Sequence, residues 1–350
     1  MKIRNYGLDV ARILAILGII ILHINGVGGL ISTSTSISFW VIEWVEILAY
    51  CSVDLFAMLS GYLGIQSTKR SSYRAIELLS ISIIYSAILS VIFWIAFPNQ
   101  MNISNLINGL FPILEGRYWY LYCYIPLRLL QPYINKLIWN LTIRQHKNVL
   151  ILLIVCSSVI PSLIHWDTLG LKEGYSFAWL FICYFIGAYI KRTEELYKMH
   201  YVGRWIFLYF LLSFVLLLGN CFLCIVYGTC VNYFVSYTSP IVLMMGISLL
   251  VGLKNLKKTN REYRILTLLS NLAFDVYLLH CHILVYNIIL DGSFAWISML
   301  NPLVIPIVIL GSAIFIGFIC LIPAYVRRII YKKISFKRVS HYLDKIIYED

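Results

Sequence analysis

Ten stretches of mostly apolar residues divide this chain, at about 7–25, 40–61, 76–97, 117–134, 148–164, 175–190, 205–227, 236–253, 265–290 and 302–326. Each approaches the ~20 residues an α-helix needs to cross the hydrocarbon core of a bilayer. The rest of the composition offers no soluble alternative. Of the 350 residues, 61% are hydrophobic and only 13% are Asp, Glu, Lys or Arg, where a soluble domain carries about 25% charged residues. Too few polar side chains remain to cover a water-soluble globule, and the apolar excess excludes disorder. The chain is expected to be an all-α integral membrane protein of about ten transmembrane helices, a single domain over 1–350 in the cell (cytoplasmic or inner) membrane. The fourth stretch is the weakest, since it holds Arg128, Pro126 and Pro132.

The charges between the stretches orient the chain. Cytoplasmic loops carry an excess of Lys and Arg. With the N-terminus inside, 24 of the 28 lysines and arginines fall on the cytoplasmic side, and only Arg117 and Lys172 fall outside. That asymmetry predicts an even number of spans with both termini cytoplasmic, the last segment (327–350) being a basic cytoplasmic tail. The net charge of +12 is thereby assigned to topology and the bilayer rather than to nucleic acid. The nine cysteines do not make a disulfide framework, since eight lie in apolar runs, where Cys is a small hydrophobe. Cys221 and Cys224 form a CxxC without a second pair, and no metal site is expected.

Ionisable residues inside spans are costly, at ~2.5–3.5 kcal/mol near the bilayer centre, and so are functional candidates. The first span holds three: Asp9, Arg12 and His23. At ~100° per residue, Asp9 and Arg12 are one turn apart, and Arg12 and His23 are three turns apart with only about 20° of drift. All three share one stripe, with Arg12 and His23 about 16 Å apart along the axis. Singly, each has an ordinary explanation, a pair that snorkels to the interface and a histidine bonded in the core. Together they line one face from the cytoplasm toward the outer side.

Three further constellations stand out. Ser60-Gly61-Tyr62 closes the second span, where small residues allow close helix approach. Ser60 lacks the Gly-Xaa-Ser-Xaa-Gly turn of an acyl nucleophile. Glu115, Arg117, Trp119 and Tyr120 open the fourth span, either as an aromatic interfacial belt or as a sugar-binding surface. In the ninth span Asn271 and Asp275 share a face, while His280 and His282 point to nearly opposite faces and are not a chelating pair. His280 lies about as deep in its span as His23 does in its own.

Taken in order, these motifs resemble the acyltransferase-3 family of integral membrane acyltransferases. Asp9-Val-Ala-Arg12 followed by His23 resembles the family's opening. Leu55 to Tyr62, ending in Ser60-Gly61-Tyr62, is similar to its Phe-rich stretch, and the basic run Lys69, Arg70 and Arg74 follows as is usual there. Trp119-Tyr120-Leu121 and Val276-Tyr277-Leu278-Leu279-His280 match later segments. The extra extracytoplasmic domain that many members carry is not among these residues, and the helices over about 148–253 match only in hydrophobicity.

The resemblance implies transfer of an acyl group, most often acetyl, from acyl-CoA to a hydroxyl of a carbohydrate or lipid-linked glycan, with no tightly bound cofactor. It implies His23 as base or nucleophile, with Asp9 orienting Arg12 and Arg12 holding the donor. Lys69, Arg70 and Arg74 would add charge for polyanionic acetyl-CoA, while Glu115, Arg117, Trp119, Tyr120, His280 and Ser60 would contact substrate. Two other classes also fit a many-span chain with buried charge: a transporter or flippase, expected to show inverted halves or Gly/Pro-broken helices in corresponding positions, a symmetry not seen in this sequence, and a polymerase or glycosyltransferase of a lipid-linked polysaccharide, expected to carry a large outer loop, which the short loops here argue against.

Overall fold

A computed structural model describes residues 4–34, 36–67, 71–112, 116–167, 169–194, 201–228, 234–256, 263–331 and 336–348. Among these residues every regular element is helical. The principal helices are α1 (Tyr6–Asn25), α2 (Ser36–Tyr50), α3 (Ser52–Gly64), α4 (Tyr73–Ala96), α5 (Trp119–Asn140), α6 (Ile143–Ile154), α7 (Phe177–Arg192), α8 (Val202–Tyr227), α9 (Pro240–Lys254), α10 (Arg264–His280), α11 (Ile305–Tyr331) and α12 (Lys337–Tyr348). All ten apolar stretches fall on helical segments. Five segments among the described residues are by themselves long and apolar enough to cross a membrane: Tyr6–Thr33, α4, Ile143–Ile164, α8 and α11. A sixth is added if α10 is joined to Val285–Met299, from which it is bent by 75°.

The remaining stretches depart from straight spans for local reasons. The second is broken at Cys51 into α2 and α3, of 15 and 13 residues. α7 and α9 have 16 and 15 residues. These shorter helices form the interior together with α1, and the other long helices wrap them. On α8, Phe207, Phe214 and Phe222 face outward, as do Ile307, Phe315 and Phe318 on α11. Apolar surface of that extent is excluded from water by lipid rather than by protein.

α1 lies at the centre, packed against α2, α3, α9, α10 and α11. Its small residues allow this. Ala11 and Ala15 are fully buried, and a Cβ on Gly18 would collide with the Ser52 side chain. The α3–α7 pair is closer still. A Cβ on Gly61 would overlap the Tyr184 carbonyl, and one on Gly187 the Met58 carbonyl. Without a hydrophobic drive between helices in lipid, such backbone approach supplies much of the packing.

Two segments take a form that residue order alone did not show. Part of the segment expected as a basic tail continues α11, and α12 docks back onto the bundle. The Asp344 carboxylate accepts from the Ser72 amide at 2.6 Å, while Tyr133 and Tyr348 donate to the Ile347 and Leu129 carbonyls. The cysteines are not all free hydrophobes either, since Cys224 is disulfide-bonded while Cys221 is free.

Candidate active site

The N-terminal end of α1 is organised by residues just outside the helix. Asn5 caps it, accepting from the Gly7 amide at 3.0 Å and donating to the Lys254 carbonyl at 2.8 Å. The chain before this cap folds over the first turn and brings Arg4 onto Asp9. Arg4 Nε and Nη2 donate to the two carboxylate oxygens at 2.7 and 2.8 Å, a bidentate pair of the strong, charge-assisted kind. Arg12 Nη1 is 3.9 Å from Asp9 and donates instead to Ser270 Oγ at 2.7 Å. The expected Asp9–Arg12 pair is therefore secondary: Asp9 is held mainly by Arg4, and Arg12 is directed across to α10.

Arg12 borders a cavity of about 620 Å³ that also involves Arg74, Arg128, Arg327 and Arg328. Among the described residues two carboxylates, Glu77 and Asp275, face these five arginines in its lining. Glu77 pairs with Arg74 at 2.6 Å. Asp275 accepts from Arg327 Nη2 at 2.6 Å and from Tyr85 Oη at 2.8 Å. The cavity keeps a positive excess and suits a polyanion. Ser60 is in its wall, with its hydroxyl donated back to the Phe56 carbonyl at 3.2 Å.

A narrower apolar void shares the Phe56 and Phe274 walls of this cavity and extends to Ile16, Ile19, Trp119, Tyr120 and Tyr277. Trp119 sits in an aromatic group with Tyr175 and Tyr237, at ring separations of 4.8 and 6.1 Å.

His23 lies one turn beyond Ile19 on α1. Its ring is 5.1 Å from that of His280 and meets Tyr286 edge-on at 5.4 Å. Arg117 covers the Tyr286 ring at 4.4 Å. α10 ends at His280, and the chain turns through Cys281 before bending away. His282 points elsewhere, to the Gly109 carbonyl at 3.0 Å, so the opposed histidine faces read from the sequence hold. His23, His280 and Cys281 form a group whose ligand-type atoms lie within 4.8 Å of one another. A grouping from two separate helices was invisible to spacing within one. Among the described residues no fourth such ligand joins the three, and the Arg117 cation close to His23 opposes a metal ion there.

The structure thus gathers Arg12, Ser60 and Arg74 at the arginine-lined cavity, Trp119 and Tyr120 at the void, and His23, His280 and Arg117 beyond it. Glu115, Lys69 and Arg70 lie outside the described residues. Sequence reasoning missed Arg4, Arg327, Arg328 and Cys281. The two late arginines were assigned to a tail, and Cys281 to the apolar filling. The position of Asp275 one turn from Asn271 was the available signal for the α10 side of the cavity.

No curated protein and no solved structure matches the chain. A family model described as an acyltransferase domain matches residues 5–322, most of the chain and every residue of the site just described apart from Arg4 and those beyond Ile322. The ordered motifs along α1, α3, α5 and α10 and this match agree, and the chain belongs to the acyltransferase-3 family.

Proposed function

We propose that this membrane acyltransferase moves an acyl group, acetyl in the simplest case, from acyl-CoA to a hydroxyl of a cell-surface or exported glycan. The observation that carries this reading is the order of features along α1. An arginine-lined cavity at Arg12 adjoins an apolar void, which leads toward the paired imidazoles of His23 and His280. Coenzyme A is polyanionic, and its phosphates suit the cavity. The pantetheine arm and acyl group are less polar and match the void in chemistry; at about 20 Å³ its Phe56, Phe274 and Tyr277 walls must part to admit them. Bidentate guanidinium donors match phosphate geometry better than lysines do.

At the far end a hydroxyl must lose its proton as it attacks the acyl carbon. Imidazole is the usual acceptor near neutral pH. His23 serves as that base, or takes the acyl group itself before passing it on. The aromatic group at Trp119, Tyr175 and Tyr237 offers flat faces to a sugar ring, and Arg117 covers the Tyr286 ring next to His23.

The chain crosses the cytoplasmic membrane ten times, with both termini in the cytoplasm. The concentration of basic residues on one side supports this topology. So does the disulfide at Cys224, near the end of α8 away from Arg204, because disulfides persist in oxidising compartments. Mass spectrometry of surface glycans from cells with and without the gene tests the whole reading. Loss of an acetyl increment from one glycan class is the expected result, and unchanged acylation of all glycans would refute it.

A further inference from the structure

Building on the acyltransferase function above, we propose that Cys281 carries the acyl group as a thioester between donor and acceptor, with His280 as its base and His23 as the base for the acceptor hydroxyl. The thiol is flanked by the two imidazoles. Cys281 Sγ lies 3.4 Å from His280 Nε2 and 3.8 Å from His23 Nδ1. His280 Nδ1 is 2.6 Å from the Val276 carbonyl oxygen. A carbonyl only accepts, so Nδ1 holds the proton and Nε2 presents its lone pair to the thiol. An adjacent, oriented imidazole is the arrangement that activates a cysteine.

The surroundings are those of a covalent relay. Cys281 occupies the turn where α10 stops and the chain bends by 75°. It stands one helical turn beyond Tyr277, which lines the apolar void. Tyr120 and Tyr277 are buried in that lining, and neither hydroxyl completes a hydrogen bond among the described residues. Ser60 and the Leu121 backbone are the polar groups near them. Tyr277, the one of the two that interacts with Cys281, offers a hydroxyl donor for the oxygen of a thioester carbonyl. Cys281 is 4% exposed, which shields a thioester from water. A relay also answers the geometry. The phosphates of the donor stay near Arg12, and His23 is about 16 Å further along α1.

The chemistry balances without a further reactant. The Cys281 sulfur attacks the acyl carbon, a carbon–sulfur bond to Cys281 forms, and the bond to coenzyme A sulfur breaks. The thiol proton passes to His280 Nε2 and then to the departing coenzyme A sulfur. One thioester replaces another, so the group keeps its transfer potential. The acceptor oxygen then attacks the same carbon while His23 takes its proton. The ester bond forms, the Cys281 carbon–sulfur bond breaks, and the sulfur recovers a proton from the imidazolium.

The test uses the full chain in lipid nanodiscs, mixed with acetyl-CoA and no acceptor, then quenched in acid and mapped by peptide mass spectrometry. An acetyl group on Cys281, removed by neutral hydroxylamine, is expected. Cys281→Ala should lose the label, keep acetyl-CoA binding, and transfer ~10²–10⁴-fold more slowly. A wild-type protein that consumes acetyl-CoA but labels His23, or labels nothing, would overturn the proposal. So would a Cys281→Ala protein with undiminished turnover. If that variant does not fold, the site and hydroxylamine lability of the wild-type label decide alone. If the wild type neither binds nor consumes acetyl-, hexanoyl- or palmitoyl-CoA, the acyltransferase function beneath the proposal fails as well.

Discussion

Removing the Asp275 carboxylate should destabilise the protein through Arg327. The pair is short, with Nη2 to Oδ2 at 2.6 Å, and well shielded, with side-chain exposures of 13% for Arg327 and 5% for Asp275. Asp275 also accepts from Tyr85 Oη at 2.8 Å. In Asp275→Ala a buried guanidinium and a buried hydroxyl both lose their acceptor. Breaking one side of a buried ion pair costs ~3–5 kcal/mol, mostly the penalty of the charge left behind. Arg327 borders the arginine-lined cavity, where water can reach part of it, so the lower end, about 3 kcal/mol, is the expected loss. Replacing both partners by apolar side chains, Asp275→Leu with Arg327→Met, leaves no stranded charge and should recover most of that loss. Equilibrium unfolding in mixed micelles, followed by tryptophan fluorescence on the wild type, both single variants and the double variant, gives the coupling directly. A loss below about 1 kcal/mol for Asp275→Ala, or a double variant whose loss equals the sum of the singles, would show that the pair is solvated and that the cavity is not organised by it.

His23→Ala should lower acyl transfer by ~10²–10⁴-fold while insertion and donor binding persist; matched assays of His280→Ala then rank the two imidazoles, and near-normal turnover by His23→Ala would move the chemistry elsewhere. Arg12→Lys keeps the charge but loses the planar fork, and should weaken donor binding by roughly tenfold; unchanged affinity by titration calorimetry would make Arg12 a structural partner of Ser270 only. Gly187→Ala places a Cβ against the Met58 carbonyl, and should cost ~1–3 kcal/mol and reduce the folded fraction in size-exclusion profiles; a wild-type profile would mean that α3 and α7 separate at little cost. A reporter fused after Tyr348 should be active only in its cytoplasmic form, and an extracytoplasmic signal would reverse the assignment of donor and acceptor ends.

The helical class, the membrane environment and the stripe on α1 could be read from residue order alone. Hydropathy over ~20 residues and the 100° helical angle are local properties, and both act within one segment. The pairing of residues across helices is a different kind of information. Nothing in the spacing of α1 says that Arg4 folds back to claim Asp9, which leaves Arg12 to reach Ser270. Nor does any local pattern bring Arg327 from α11 onto Asp275 of α10, or set the Cys281 thiol between imidazoles from α1 and α10. These contacts follow from which helices approach most closely, and that is set by small residues such as Gly18, Gly61 and Gly187 meeting particular partners. The break at Cys51 and the bend after His280 were equally hidden, because an apolar run reads the same whether the helix continues or turns inside protein. Residue order was enough to identify the apolar segments and the face of α1 that carries charge. The tertiary packing decided which charges meet, since a buried ion pair or a flanked thiol exists only when two separate backbones are held within a few ångströms.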